Sequence, residues 1–239
     1  MDTDYNKIDW DTIGAYNREY HPETTLERAQ LHIENNNFHQ AILDLNSYTK
    51  STPSTSIGYL LLGRCFYLSN NLVNAIEAFK KGLAQAANEV DYEFLYEYAR
   101  ALLHTGKNIE ALNVTDKMLN QESDNIRGFL IKSQGLYALQ EYEKAFYYST
   151  KVTELNADIW QGWLIRFNVS YSLKDYARAI SDFKKVLSLN KNLRPHEHTI
   201  YASALLNSGF KVEAIKEFEF AMLAGDTEAK EFFIALTKS

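Results

Sequence analysis

Apolar residues recur three and four positions apart along nearly the whole chain, with polar residues filling the other side of each stretch. That is the period of amphipathic helices, and the helices come in pairs. Residues 142–156 (YEKAFYYSTKVTELN) return about 34 residues later as 176–190 (YARAISDFKKVLSLN). The stretch before each copy repeats as well, 128–137 (GFLIKSQGLY) against 162–171 (GWLIRFNVSY). A helix pair recurring at this interval buries its apolar face on its neighbours, not in one central core. The predicted fold is therefore all-α: a right-handed α-solenoid of about six stacked helix-turn-helix repeats. The repeats start near 22, 56, 92, 126, 160 and 195 and run to 226. Residues 227–239 predict a closing amphipathic helix with Ala229, Phe232, Phe233 and Leu236 on one face.

Local signals place the ends of these helices. Pro22 opens the first, where its missing N–H costs nothing. The pattern breaks at Asn35, Asn36 and Asn37 and resumes over 38–50; the next pairs read as 57–69 with 72–86, and 91–104 with 108–120. Asn71 is placed to cap a second helix, Asp124 and Asp158 to cap first helices, and Gly106 to end one in a left-handed conformation. Residues 1–21 stand apart from the repeats. Ile8, Trp10, Ile13, Tyr16 and Tyr20 have loosely helical spacing weakened by Gly14, as in a capping or docking helix.

In-register residues carry the repeat further. The small residue inside each second helix is Ala41, Ala75, Ala111, Ala145, Ala179 and Ala214. Four positions on stand Leu45, Phe79, Thr115, Ser149, Phe183 and Phe218. Inside the first helices the series runs Ala29, Gly63, Ala99, Ser133 and Ala202, broken by Phe167. Small side chains let helix backbones approach, while large ones fill the space to the next pair.

Bulk properties narrow the function. A formal charge of −6 disfavours nucleic acid, which needs a dense basic surface. The N-terminus has no basic and apolar leader, and no run is long enough to span a bilayer, so the expectation is a cytoplasmic protein without membrane insertion. Cys65 sits where other repeats carry Leu31, Ala101, Gly135, Val169 and Ala204, so it reads as core filling. His196 and His198 are two apart on a helix, where side chains diverge, and no ligand set completes them. Phosphate-loop, nucleophile-elbow and zinc-protease motifs are missing from the sequence. The expectation is no enzyme, no metal and no cofactor.

The second repeat, with Tyr59, Leu62, Gly63, Phe66, Ala75 and Phe79, resembles the tetratricopeptide repeat, and the resemblance extends over about 22–226. It departs from that pattern at Phe167, at Lys132 and Arg166 where leucine belongs, and in keeping the terminal proline only at Pro53. In that family the first helices line a concave groove that holds peptides or partner helices. The resemblance therefore implies a protein-binding adaptor or scaffold whose groove carries three rows. One row is polar: Gln30, Arg64, Arg100, Gln134, Asn168 and Ser203. The apolar row is Leu26, Leu60, Tyr96, Leu130, Leu164 and Thr199, and the third is built on Tyr67, Tyr137 and Tyr171. Arg64 and Arg100, with Arg127 near the next first turn, predict positive charge in the groove and a partner with carboxylates and apolar anchors. The five-residue clamp with which some family members hold a C-terminal carboxylate is not reproduced, since Leu26 and Gln30 stand where Lys and Asn belong. A second reading is a self-associating subunit of a secretion, pilus or ciliary apparatus that uses its ends or convex face. Residues 1–21 would then drive homo-oligomerisation.

Overall fold

The computed structural model describes residues 22–87, 90–190 and 192–238. The roles expected of residues 1–21 and Trp10 lie outside them. Among the described residues the periodic stretches fold as thirteen helices without a strand, an all-α repeat fold. The chain divides into an N-terminal body, up to Ala101, and a C-terminal body from Leu102 on. The first body contains α1 (Pro22–Glu34), α2 (Phe38–Ser51), α3 (Ser56–Leu68), α4 (Leu72–Gln85) and most of α5 (Tyr92–His104). The second contains the end of α5, then α6 (Asn108–Gln121), α7 (Ile126–Ala138), α8 (Tyr142–Leu155), α9 (Trp160–Ser172) and α10 (Tyr176–Leu189). It finishes with α11 (Pro195–Asn207), α12 (Lys211–Leu223) and α13 (Thr227–Thr237). Consecutive helices pack from α1 to α4 and again from α6 to α13, and within the C-terminal body α9 also touches α7 and α11.

One turn design joins every pair. Asn36, Asn70, Gly106, Gln140, Lys174 and Gly209 occupy the same place in the repeat, and all have positive φ. Each sits after a first helix whose final carbonyls are satisfied by a six-to-one bond, as from Asn71 N to Phe66 O (2.8 Å) and Glu141 N to Leu136 O (2.9 Å). Gly106 and Gly209 adopt the left-handed conformation at no steric cost, whereas Gln140 and Lys174 adopt it against their Cβ atoms. Caps refine the boundaries. Asn71 accepts from Asn74 N as expected. For α7 the cap is Asn125, whose Oδ1 takes the N–H groups of Arg127 (2.9 Å) and Gly128 (3.4 Å), and not Asp124 one residue further out. Asp158 also fails as a cap: Asn156 Oδ1 accepts its N–H at 2.9 Å, and α9 starts after Ile159 with no side-chain cap.

The alanine series is buried without exception, at 0% exposure in all six pairs. Leu45, Phe79, Phe183 and Phe218 beside it are equally buried, each contributing roughly 1.5–3 kcal/mol. Thr115 and Ser149 hold that place with hydroxyls that donate to Ala111 O (2.7 Å) and Phe146 O (3.0 Å), so burial leaves neither unpaired. Opposite Phe79 stands Gly63, where a Cβ would meet the ring at 2.7 Å. Phe167, the residue that breaks the small series, is fully buried with its ring 4.8 Å from Phe183. The charged departures are explained by partners. Arg166 forks onto Asp182 (2.8 and 2.7 Å), also reaches Thr153 Oγ1 (3.0 Å), and lies over the Trp163 ring at 4.5 Å. Lys132 donates to Asp116 (2.5 Å) and covers the Tyr148 ring at 4.8 Å. Arg28 makes the same fork onto Asp44 (2.7 and 2.5 Å).

Candidate ligand-binding face

In the N-terminal body the expected groove residues take different roles. Leu60 is 5% exposed and closes over Gly82, where a Cβ would meet it at 2.7 Å, so it belongs to the interior and not to a ligand face. Arg64 is no free cation either. Its Nε is shared between the two oxygens of Glu97 (2.9 and 3.0 Å), and its guanidinium lies 4.3 Å from the Phe94 ring centre. Burial pushes the Glu97 carboxyl up, and the Arg64 bond pulls it back. The expected positive charge there is consumed within the fold, because a half-buried guanidinium keeps a counter-ion. Arg100 lies over the Tyr96 ring at 5.6 Å and, among the described residues, meets no carboxylate at ion-pair distance. It flanks Tyr67, whose phenol burial pushes up while Arg100 opposes the shift. Gln30 is exposed on α1.

In the C-terminal body the first helices α7, α9 and α11 lie side by side, so their rows become contiguous. Gln134 is exposed; Asn168 and Ser203 are half-buried. Ser203 donates to Thr199 O (3.0 Å), while Asn168 Oδ1 is buried with no hydrogen-bond partner. Tyr137 and Tyr171 are half-buried, and each rests on the tyrosine that opens the following helix: Tyr142 at 5.8 Å and Tyr176 at 5.7 Å between ring centres. Leu130 and Leu164 are half-buried against the cores beneath, so only part of each is presented. Arg127 stands exposed in the first turn of α7. The face is thus an array of amides, hydroxyls and tyrosines in which Arg127 is the only charge of the residues named.

Sequence reasoning did not find a pocket of about 390 Å³ between α6, α7 and α8, floored by Leu112, Leu136 and Leu139 and walled by Lys132, Asp116 and Tyr148. Its residues come from three helices that no local motif links. Cys65 is fully buried and its thiol is pushed up to about 12 by burial, so it lies in the core as read from sequence. His198 Nδ1 faces Glu217 (2.9 Å), whereas His196 lies 3.7 Å from Asp226 and 3.9 Å from Glu228. Among the described residues no group of three or more His, Cys, Asp or Glu is arranged to hold a metal ion. No described helix is long and apolar enough to cross a membrane.

A profile of the tetratricopeptide repeat matches residues 26–90. No curated protein matches the sequence. Among solved structures, Pseudomonas aeruginosa pilF is similar at 16% identity and TM-score 0.68, over 88% of this chain and 96% of that one. YrrB, described as a tetratricopeptide repeat protein with an unusual peptide-binding site, is similar at 13% identity and TM-score 0.68, over 82% and 97%. A thermophilic tetratricopeptide repeat protein from Thermus thermophilus is similar at 21% identity and TM-score 0.57, over 77% and 100%. At these identities the likeness is one of fold.

Proposed function

We propose that this tetratricopeptide repeat protein, whose fold is that of a protein–protein interaction module, holds a partner polypeptide along the partly exposed row of α7, α9 and α11. The observation that carries this reading is the chemistry of the row. Gln134 offers an exposed amide and Asn168, on the adjacent first helix, a half-buried one, and Tyr137 and Tyr171 offer the exposed part of their rings beside them. Amides suit the main chain of an extended or helical segment, and half-buried tyrosine rings suit its apolar anchors. The role this fits is an adaptor within a multiprotein assembly.

Asn168 supports the reading from the side of stability. A buried acceptor left unpaired costs about 1–3 kcal/mol, and a leucine of similar size would not incur that cost. Thr150, Ser170 and Glu197 carry such atoms as well, and Asn168 is the one that lies in the row. Exposed ion pairs contribute only about 0–1 kcal/mol and a fully buried side chain roughly 1.5–3 kcal/mol, so apolar anchors dominate the affinity.

The test is a peptide library panned on the protein, followed by binding kinetics of the selected peptide. Tyr171→Ala is expected to speed dissociation about tenfold, and raising salt from about 50 to 500 mM to change affinity by no more than about threefold. Asn168→Leu is expected to raise the melting temperature while weakening binding. Unchanged binding in both variants, with folding intact, moves the ligand off this row. A steep salt dependence would show that charge, and not apolar anchoring, dominates capture.

A further inference from the structure

Helix α12 has two faces of opposite kind. Ala214, Phe218 and Ala221 are fully buried. On the other side Val212, Lys216, Glu219, Phe220 and Leu223 fall in one stripe at helical spacing. Val212, Phe220 and Leu223 are 66%, 54% and 78% exposed. The rest of the chain shows that the fold does not require this. Where α12 carries Phe220, the four preceding second helices carry Lys81, Lys117, Lys151 and Lys185. Where it carries Leu223, they carry Ala84, Asn120, Glu154 and Ser188. Phe220 and Leu223 are thus particular to the last pair, whereas the place of Val212 is apolar and exposed elsewhere too, at Val73 and Ile109. Large exposed apolar side chains grouped on one helix face mark an interaction surface. Phe220 is also held in place, its ring 4.6 Å from that of His198.

We infer that this stripe is a self-association surface, on which a second copy of the chain lays its own α12 antiparallel across a twofold axis. The choice of occupant rests on charge and register. Reversing the helix on itself about the midpoint between Glu217 and Phe218 sets Val212 opposite the partner's Leu223 and Lys216 opposite the partner's Glu219. The twofold makes each contact twice. A parallel arrangement in register would oppose Lys216 to Lys216 and Glu219 to Glu219, which is repulsive on both rows. Antiparallel packing also opposes the two helix dipoles. This surface lies on a second helix and is independent of the ligand row on the first helices.

The experiment is sedimentation velocity over a concentration series, with circular dichroism to establish that each variant is folded. The parent is expected to dimerise. Phe220→Lys combined with Leu223→Ser, the residues of the fifth pair at those places, is expected to leave a monomer of unchanged helicity. Lys216→Glu alone and Glu219→Lys alone should each weaken the dimer about tenfold, and the two together should restore it, because the exchanged pair is still complementary. These charge variants decide the matter even where the apolar variant does not fold. A parent that stays monomeric at the highest concentration overturns the proposal, including one whose α12 captures only a helix of another protein. A Phe220→Lys, Leu223→Ser protein that still dimerises places the contact elsewhere, and a double exchange no better than the single ones excludes the antiparallel register.

Discussion

Arg166 stands where the family pattern has leucine, yet it is well satisfied: two bonds to Asp182, one to Thr153 and an indole face beneath it. Its side chain is 15% exposed and that of Asp182 only 2%, so the pair is kept from water and each charge depends on the other. Asp182→Ala is expected to destabilise the protein by about 3–5 kcal/mol in urea unfolding, because it strands a buried guanidinium. A loss below about 1 kcal/mol would mean that Arg166 escapes to solvent. Cys65 gives a pH prediction. Its folded thiol holds its proton up to about 12 against an ordinary value of 9.0, since burial disfavours the thiolate. The unfolded chain therefore releases that proton first, and stability falls as pH rises from about 9 to 12. Comparing the parent with Cys65→Ala isolates the effect: the parent should lose stability more steeply in that window, and equal slopes would refute the assignment.

At the scale of the element, one turn is used by every helix pair but with unequal residues. Glycine fills the left-handed place at Gly106 and Gly209, and asparagine at Asn36 and Asn70. Gln140 and Lys174 hold φ of 61° and 63° against their side chains. Relief of that strain outweighs the extra freedom a glycine gives the unfolded chain, so Gln140→Gly and Lys174→Gly should each stabilise by about 0.5–1 kcal/mol. Thermal melts of the single and double variants check this, with additivity expected for two separate turns. Destabilisation would show that the long side chains contribute more at the surface than the backbone gains.

For the whole molecule, the exposed end of a repeat array is where burial fails first. In the C-terminal body α13 meets that need. Its Asp226 cap accepts from Ala229 N (2.9 Å), Ala229 is fully buried, and Phe232 stacks on Phe218 at 5.0 Å. Removing residues 227–239 uncovers Phe218, Ala221 and their neighbours. The shortened protein should lose solubility and melt earlier; one as soluble and stable as the parent would show that α13 only decorates the end.

What the sequence determined by itself is whatever repeats locally. Helix period, the alanine series, the left-handed turn at Gly106 and the cap at Asn71 each depend on neighbours a few residues away, and each was legible. The six helix pairs followed because one local pattern recurs. What only the tertiary structure decided is which side chains spend their chemistry inside the fold. Arg64 finds Glu97, Arg166 finds Asp182 and Leu60 closes over Gly82, and none of these partners is adjacent in the sequence. Such pairings arise when helices from different parts of the chain are brought together, where the cost of leaving a charge or a cavity unmatched selects the partner. The amide and tyrosine row on α7, α9 and α11 and the exposed stripe on α12 are what that selection leaves over.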